Sequence, residues 1–311
     1  MENLSMAKVV VVGSANTDLT IRSEKIPAPG ETVVGGVFST AAGGKGANQA
    51  VAAARAGGSV TFVARLGADS LGAEAIKGYE KDGIDVSAIV RDPEHATGVA
   101  LIMVDANGQN SISVALGAND ALSPENVDAA ADAIRSADVV VSQLETPIET
   151  VAHAAKLAFD AGVPFILDPA PAPSKPLPES LLQHVTIIKP NEHEASALTG
   201  IDVTDDSSAF NAADRLLALG VKLAIITLGE SGAVLVSNSG LRAKLASLRV
   251  KAVDSTAAGD AWTGAFAVAL AEGRSPEAAA DFATKAAAIS VTRAGAQPSL
   301  ATRAEIDAFN G

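Results

Sequence analysis

The sequence predicts an α/β protein: a doubly wound, mainly parallel sheet flanked by helices, with a small inserted β-sheet lid. Three observations predict it. Short β-branched runs recur along the chain, Ala-rich stretches of helical length separate them, and in two places strand-like segments pair up with no helix between them.

Residues 8–13 (KVVVVG) form a run ended by glycine, which reads as a strand buried on both faces of a parallel sheet. Residues 19–22 with 31–40 read as the first helix-free strand pair. The spacing then predicts a helix over 46–56 and a strand over 60–66. Residues 98–104 with 110–116, joined across an Asn107-Gly108 turn, read as the second pair. A helix over 124–135 is opened by Ser123 with Pro124 at its first position. Strands follow over 138–144, 163–168, 185–189 and 222–228, with a helix over 207–219 between the last two. From Gly259 onward the chain reads as mostly helical and ends in a polar tail. The expected division is a body of residues 1–13, 42–96 and 118–311, with a lid of residues 14–41 and 97–117.

Composition narrows the function classes. With 311 residues, 48% of them apolar and 19% charged, the chain has enough apolar material for a sizeable core. A net charge of −13 repels a phosphate backbone or an anionic membrane surface, so neither nucleic acid nor membrane is expected as a partner. No apolar run approaches the ~20 residues needed to cross a bilayer, and no signal core is visible, so the expected compartment is the cytoplasm. The absence of cysteine excludes disulfides, thiol nucleophiles and thiolate zinc sites, and four scattered histidines make a catalytic zinc site a poor expectation.

Three stretches carry candidate chemistry. The first, residues 42–50 (AGGKGANQA), sets two glycines, Lys45 and Gly46 directly before a helix. Paired glycines allow close backbone approach, and free N–H groups at a helix start favour anionic or hydroxyl-rich ligands. It is not a phosphate-binding loop of the GxxxxGK[ST] type, because Gly46 stands where a hydroxyl residue is required. A packing role explains the glycines equally well. In the second, residues 253–264 (VDSTAAGDAWTG), small residues run into a helix start. There the N–H groups of Ala257, Ala258 and Gly259 offer an anion pocket beside Asp260 as a proton acceptor. An Asp in a first turn is also an ordinary cap. The third, Pro190-Asn191-Glu192-His193-Glu194, opens a helix after a strand. Its carboxylates suit either the water shell of Mg²⁺ or the helix dipole, and His193 reads as a surface residue.

Taken in order, these stretches resemble the ribokinase family of sugar kinases. The resemblance rests on Gly13-Ser14-Ala15-Asn16-Thr17-Asp18, Pro29-Gly30-Glu31-Thr32, GGKGANQA, Asn191-x-x-Glu194, Thr227-Leu228-Gly229-x-x-Gly232, TAAGD and the run Gly295-Ala296-Gln297-Pro298-Ser299. It covers nearly the whole chain. It implies ATP-dependent phosphorylation of D-ribose at O5, with ATP, Mg²⁺ and K⁺ as cofactors and a homodimer formed through the lid. By the same resemblance Asn16, Asp18, Gly44, Lys45, Gly46, Ala47, Asn48, Glu145 and Asp260 match the sugar-binding set. Asn191, Thr227, Leu228, Gly229, Glu230, Ser231, Gly232, Gly259, Asp260 and Thr284 match the ATP-side set. Asp260 matches the catalytic base, with Ala257, Ala258 and Gly259 as the anion hole. Asp254, Thr256, Ser290, Arg293, Gly295 and Ser299 match a potassium site, and Glu194 a magnesium site acting through water.

Two departures from the family pattern stand out: Ala257 where glycine is frequent, and Ala261-Trp262 where Thr-Phe or Ser-Phe is frequent. Neither removes a reacting group. Alternatives are a kinase of the same family acting on 2-deoxyribose, fructose, a ketogluconate or a nucleoside, and a non-catalytic sensor on the same fold.

Overall fold

The computed structural model describes residues 6–310, so residues 1–5 and 311 of the expected body lie outside it. Its thirteen strands are β1 (Lys8–Val12), β2 (Asn16–Arg22), β3 (Val37–Gly43), β4 (Ser59–Gly67), β5 (Ile89–Asp92), β6 (Gly98–Val104), β7 (Asn110–Ala115), β8 (Val139–Ser142), β9 (Phe165–Leu167), β10 (Ile187–Ile188), β11 (Leu223–Thr227), β12 (Ala233–Ser237) and β13 (Arg242–Leu245). Nine of them form one sheet in the order β13-β12-β11-β10-β9-β8-β1-β4-β5. It is parallel from β11 to β5, and β12 and β13 add an antiparallel edge. A separate four-stranded sheet has the order β3-β2-β6-β7.

Alternation within β1 explains why helices cover both faces of the large sheet. Val9 and Val11 join one core with Ala47, Ala50, Ala265 and Phe266; Val10 and Val12 join the other with Val140, Val151 and Ile134. Alanine brings the helices close to the sheet and to each other. Helix Lys45–Arg55 packs on helix Ala258–Ala271, where a Cβ added to Gly264 would lie 2.6 Å from the Gln49 carbonyl. No helix of the described residues is long and apolar enough to cross a membrane.

Several element bounds differ from the sequence expectation. The 31–40 segment becomes a strand only from Val37, because Gly35 takes a left-handed φ of 101° and Gly36 is pressed against Ile21. The 124–135 helix is two helices, Pro124–Ala129 and Ala131–Arg135, divided where Ala130 tightens onto the Val127 carbonyl. The β12–β13 hairpin and strand β5 are additions to the sequence reading.

Strand order places the site. From β1 the chain first builds outward through β4 and β5, then returns to β8 on the other side of β1. The carboxyl ends of β1 and β8 therefore flank a topological switch point, where open α/β sheets bind their ligands. Gly13, Ser14, Gln143 and Glu145 follow those two ends directly.

Candidate active site

The glycines of residues 43–46 bring the start of a helix against the loop after β1. Gly44 has φ 87°, and a Cβ there would sit 2.7 Å from the Asn16 nitrogen; one on Gly46 would sit 2.5 Å from the Ser14 nitrogen. Close approach is thus the physical demand, and it is what sets the helix start beside Asn16 and Asp18. Glu145 crosses from the β8 side to join them, accepting from Ser14 Oγ at 2.6 Å and from the Lys45 N–H at 3.0 Å.

These residues line a polar cluster. Asn119 Nδ2 donates to Asn16 Oδ1 at 2.7 Å and fixes the orientation of that amide. Burial, with a further push from Glu145, raises the Asp18 carboxyl to about 6. Asn48 Oδ1 is buried with no partner, which a hydroxyl donor would satisfy. Burial works against the Lys45 ammonium, but the carboxylates of Asp260, Asp168 and Glu145 outweigh it and hold the group charged above the ordinary lysine range.

Beside this cluster begins helix Ala258–Ala271. Its N-cap, Ala257, has φ 60°, the one positive φ outside glycine among the described residues. Such a conformation costs about 1–2 kcal/mol and persists only where its surroundings enforce it. The Ala258 N–H donates to the Ser255 carbonyl at 3.2 Å. Those of Gly259 and Asp260 have no protein acceptor among the described residues and point outward from the helix start.

Asp260 is 5% exposed and does not cap its own helix. Its Oδ1 accepts from Gln49 Nε2 at 2.9 Å and its Oδ2 from Asn48 Nδ2 at 3.0 Å. Burial raises its pKa to about 6; Lys45 opposes that shift and Asp168 adds to it. The site thus holds a proton acceptor poised near neutrality beside two free N–H donors.

Asn191 and Glu194 form a reciprocal capping box on helix Glu192–Thr199, at 2.8 and 2.9 Å, and Asn191 also bridges to Thr227. Burial, with Asp168 nearby, raises the Glu194 pKa. The turn 227–232 closes with Leu228 N–H on the Gly232 carbonyl at 2.7 Å. Gly232 is obligatory there, since a Cβ would lie 1.9 Å from the Leu245 carbonyl. Thr284 accepts from the Trp262 indole at 3.3 Å, and that indole is buried and stacked on Phe266. Asp254 gathers the remaining loop: it accepts from Thr256 N–H at 2.9 Å and Gly295 N–H at 2.9 Å. The Ser290 carbonyl takes the Arg293 N–H, Ser299 Oγ donates to the Ala296 carbonyl, and the Arg293 guanidinium pairs with Glu305.

Five participants were not assigned from sequence: Asn119, Gln49, Gln143, Asp168 and Lys189. Gln49 lies inside the quoted GGKGANQA run and Asp168 ends the 163–168 run, so position offered a signal for these two. Lys189 Nζ stands 3.3 Å from Asp168 Oδ1 and close to Gly259, a contact no local pattern reveals.

A buried acid and free helix-start N–H groups, beside a cluster of polar side chains at a switch point, are the groups that phosphoryl transfer to a small polyol requires. The chain belongs to the pfkB family of carbohydrate kinases, whose sequence model matches residues 6–303. It is 43% identical over 297 residues to the ribokinase of Haemophilus influenzae, covering 96% of both chains. It is equally 43% identical over 303 residues to a bifunctional ribokinase/ribose-5-phosphate isomerase A of Fructilactobacillus sanfranciscensis, of which it spans 56%. The solved structure of Arabidopsis thaliana ribokinase complexed with ribose and ATP superposes with a TM-score of 0.91 at 35% identity, over 98% of this chain and 100% of that one.

Proposed function

We propose that this chain transfers the γ-phosphoryl group of ATP to O5 of D-ribose, giving D-ribose 5-phosphate and ADP. The observation that carries this reading is Asp260: a buried carboxylate, held by Asn48 and Gln49, next to the free N–H groups of Gly259 and Asp260. Ribokinase relatives that match nearly end to end supply the substrate. A primary hydroxyl is a poor nucleophile, so Asp260 accepts its proton as the O5–P bond forms and the bond from phosphorus to the bridging oxygen of ADP breaks. The N–H donors at the helix start stabilise the charge on the transferring phosphoryl oxygens. Asn16, Asp18, Lys45, Asn48 and Glu145 hold the sugar; Asn191, the turn 227–232 and Thr284 hold the nucleotide.

The second sheet acts as the lid, residues 14–41 and 97–117 closing over the sugar and excluding water. Its face opposite Asp18 exposes Ile21, Phe38 and Leu101, at 46%, 61% and 53%, which supports a homodimer joined through the lids. The enzyme is assigned to the cytoplasm.

Two cations complete the reading. Glu194 is a single carboxylate beside the nucleotide residues, which fits Mg²⁺ held through water; that ion would neutralise phosphate charge. Asp254, the carbonyls of Thr256, Ser290, Arg293 and Gly295, and Ser299 are an all-oxygen set that fits K⁺. Bound there, a monovalent cation would order the loop leading to Ala257. Replacing K⁺ by tetramethylammonium is therefore expected to lower kcat severalfold, and equal rates in the two salts would remove the potassium assignment.

The sugar assignment is tested by competition. A buried polar group deprived of its partner costs about 1–3 kcal/mol, so kcat/KM for ribose is expected to exceed that for 2-deoxyribose by roughly 10- to 100-fold. Asn16→Met is expected to shrink that ratio. A wild-type preference for 2-deoxyribose or fructose would overturn the substrate.

A further inference from the structure

Behind the base lies a polar network that the transfer reaction as described does not use. Gln49 is fully buried and its amide is committed on every side. Its Nε2 donates to Asp260 Oδ1 at 2.9 Å and to Asp168 Oδ2 at 2.8 Å, while its Oε1 accepts from Gln143 Nε2 at 2.6 Å. Turning the amide over would aim its oxygen at two carboxylates, which fixes its orientation with the NH₂ toward Asp168 and Asp260. Gln143 is itself seated where Gly13 lacks a side chain, a Cβ there falling 2.0 Å from Gln143 Oε1. Thr263 Oγ1 donates to the Gly259 carbonyl at 2.8 Å and stands 3.4 Å from Asp168 Oδ2, which sets the same acid beside the helix start.

A second buried acid at this place is costly. Asp168 is 2% exposed, and an apolar residue would fill its volume without the desolvation penalty. Lys189 balances its charge at 3.3 Å from Oδ1, yet the other oxygen is directed through Gln49 toward Asp260. A pair of carboxylates joined by one neutral amide is a device for holding a base rather than for packing.

We propose that Asp168, acting through Gln49, is a positioning residue for the catalytic base: Gln143 pins the Gln49 amide, which fixes the Asp260 carboxylate and couples it to the charge of Asp168. This rests on Asp260 being the base. The charged groups acting on Asp260 are Lys45 from the start of helix Lys45–Arg55 and Asp168 from the end of β9; around these, Glu145 and Glu194 act on Lys45, Lys189 pairs with Asp168, and Asp18 faces Glu145. Asp168 raises the Asp260 pKa by like-charge repulsion, and the Gln49 hydrogen bond lowers it. Removing each partner therefore shifts the base in opposite directions.

The test is the pH profile of kcat/KM for ribose in three variants, with melting temperatures alongside. Asp168→Asn is expected to move the acidic limb down by about one pH unit and to lower the plateau by about tenfold, as a weaker base accepts the proton. Gln49→Met, which keeps the volume, is expected to move the limb up by about one unit. A residue that merely supports the fold would lower the plateau and leave the limb in place. Limbs that stay put, or that shift in the same direction in both variants, overturn the relay; should Asp168→Asn fail to fold, an unmoved limb in Gln49→Met does so alone. Asp260→Asn separates the two layers. A residual activity that keeps the wild-type limb overturns base and relay together, whereas loss of the limb there with no shift in the other two overturns the relay only.

Discussion

Asp260→Asn is expected to lower kcat by about 10²- to 10⁴-fold, the range over which a lost general base is felt. Nucleotide affinity should change little, because the free N–H groups of Gly259 and the residue at 260 belong to the backbone. The fold should survive. The new carboxamide can accept from Gln49 through its oxygen, and Asn48 can turn its unpartnered Oδ1 to meet the added NH₂. The charge lost is one that burial disfavours: with a folded-state pKa raised to about 6, ionised Asp260 subtracts from stability at neutral pH. That contribution sets in as pH rises from the unfolded value near 4 through the folded one and is constant above it. The melting temperature at pH 7.5 is accordingly expected at or near that of the wild type. Near-normal kcat with a lowered melting temperature would mean that Asp260 serves the helix and not the reaction.

Gly264→Val is expected to damage both stability and turnover. A Cβ at this position would lie 2.6 Å from both Ala52 Cβ and the Gln49 carbonyl and 2.7 Å from the Ala53 nitrogen, so two helices must part to admit any side chain. Overpacking of this kind costs about 1–3 kcal/mol or more, a melting-temperature drop on the order of 5 °C. The helix that moves carries Asn48 and Gln49, and a displacement of about 1 Å at a positioning group lowers turnover by roughly 10²-fold. Gly78→Ala serves as control. It sits within helix Ser70–Lys81 with nothing inside 4 Å of the new methyl, and should stabilise by about 0.5–1 kcal/mol with kcat unchanged. Thermal melts and kcat for the two variants check both statements; a Gly264→Val enzyme as stable and active as the parent would show that the contact is slack.

Both variants act on contacts that the sequence shows unevenly. Alternation of β-branched runs with Ala-rich segments is a local pattern, so β1, β4, β8 and β11 and the helix that follows Gly44 were legible to within a residue or two, and the helix start after Ser123 was legible though the break at Ala130 was not. The glycine-rich start before Lys45 and the small-residue run before Asp260 were legible too, because backbone approach and free N–H groups demand small residues in sequence. Elements of two or three residues such as β9 and β10 are held by their neighbours in the sheet, and their true ends lie inside longer apolar runs. The edge hairpin β12–β13 has strands of five and four residues with no helix to mark it. Least legible was the network behind the base. Gln49 meets Asp168 across 119 positions and Asp260 across 211, and a buried glutamine reads in sequence like any exposed one. Asp260 also reads from sequence as a cap; only the positions of Asn48 and Gln49 show that its oxygens turn away from its own helix.

The central claim is that the phosphoryl group of ATP reaches a ribose hydroxyl. It is tested most directly by incubating the protein with ATP, Mg²⁺, K⁺ and D-ribose and following the products by phosphorus NMR. The expected spectrum shows ADP and one sugar phosphomonoester, coupled to the C5 protons, appearing at equal rates and only when the sugar is present. ADP with free phosphate and no sugar ester, or an ester at another carbon, would contradict the account.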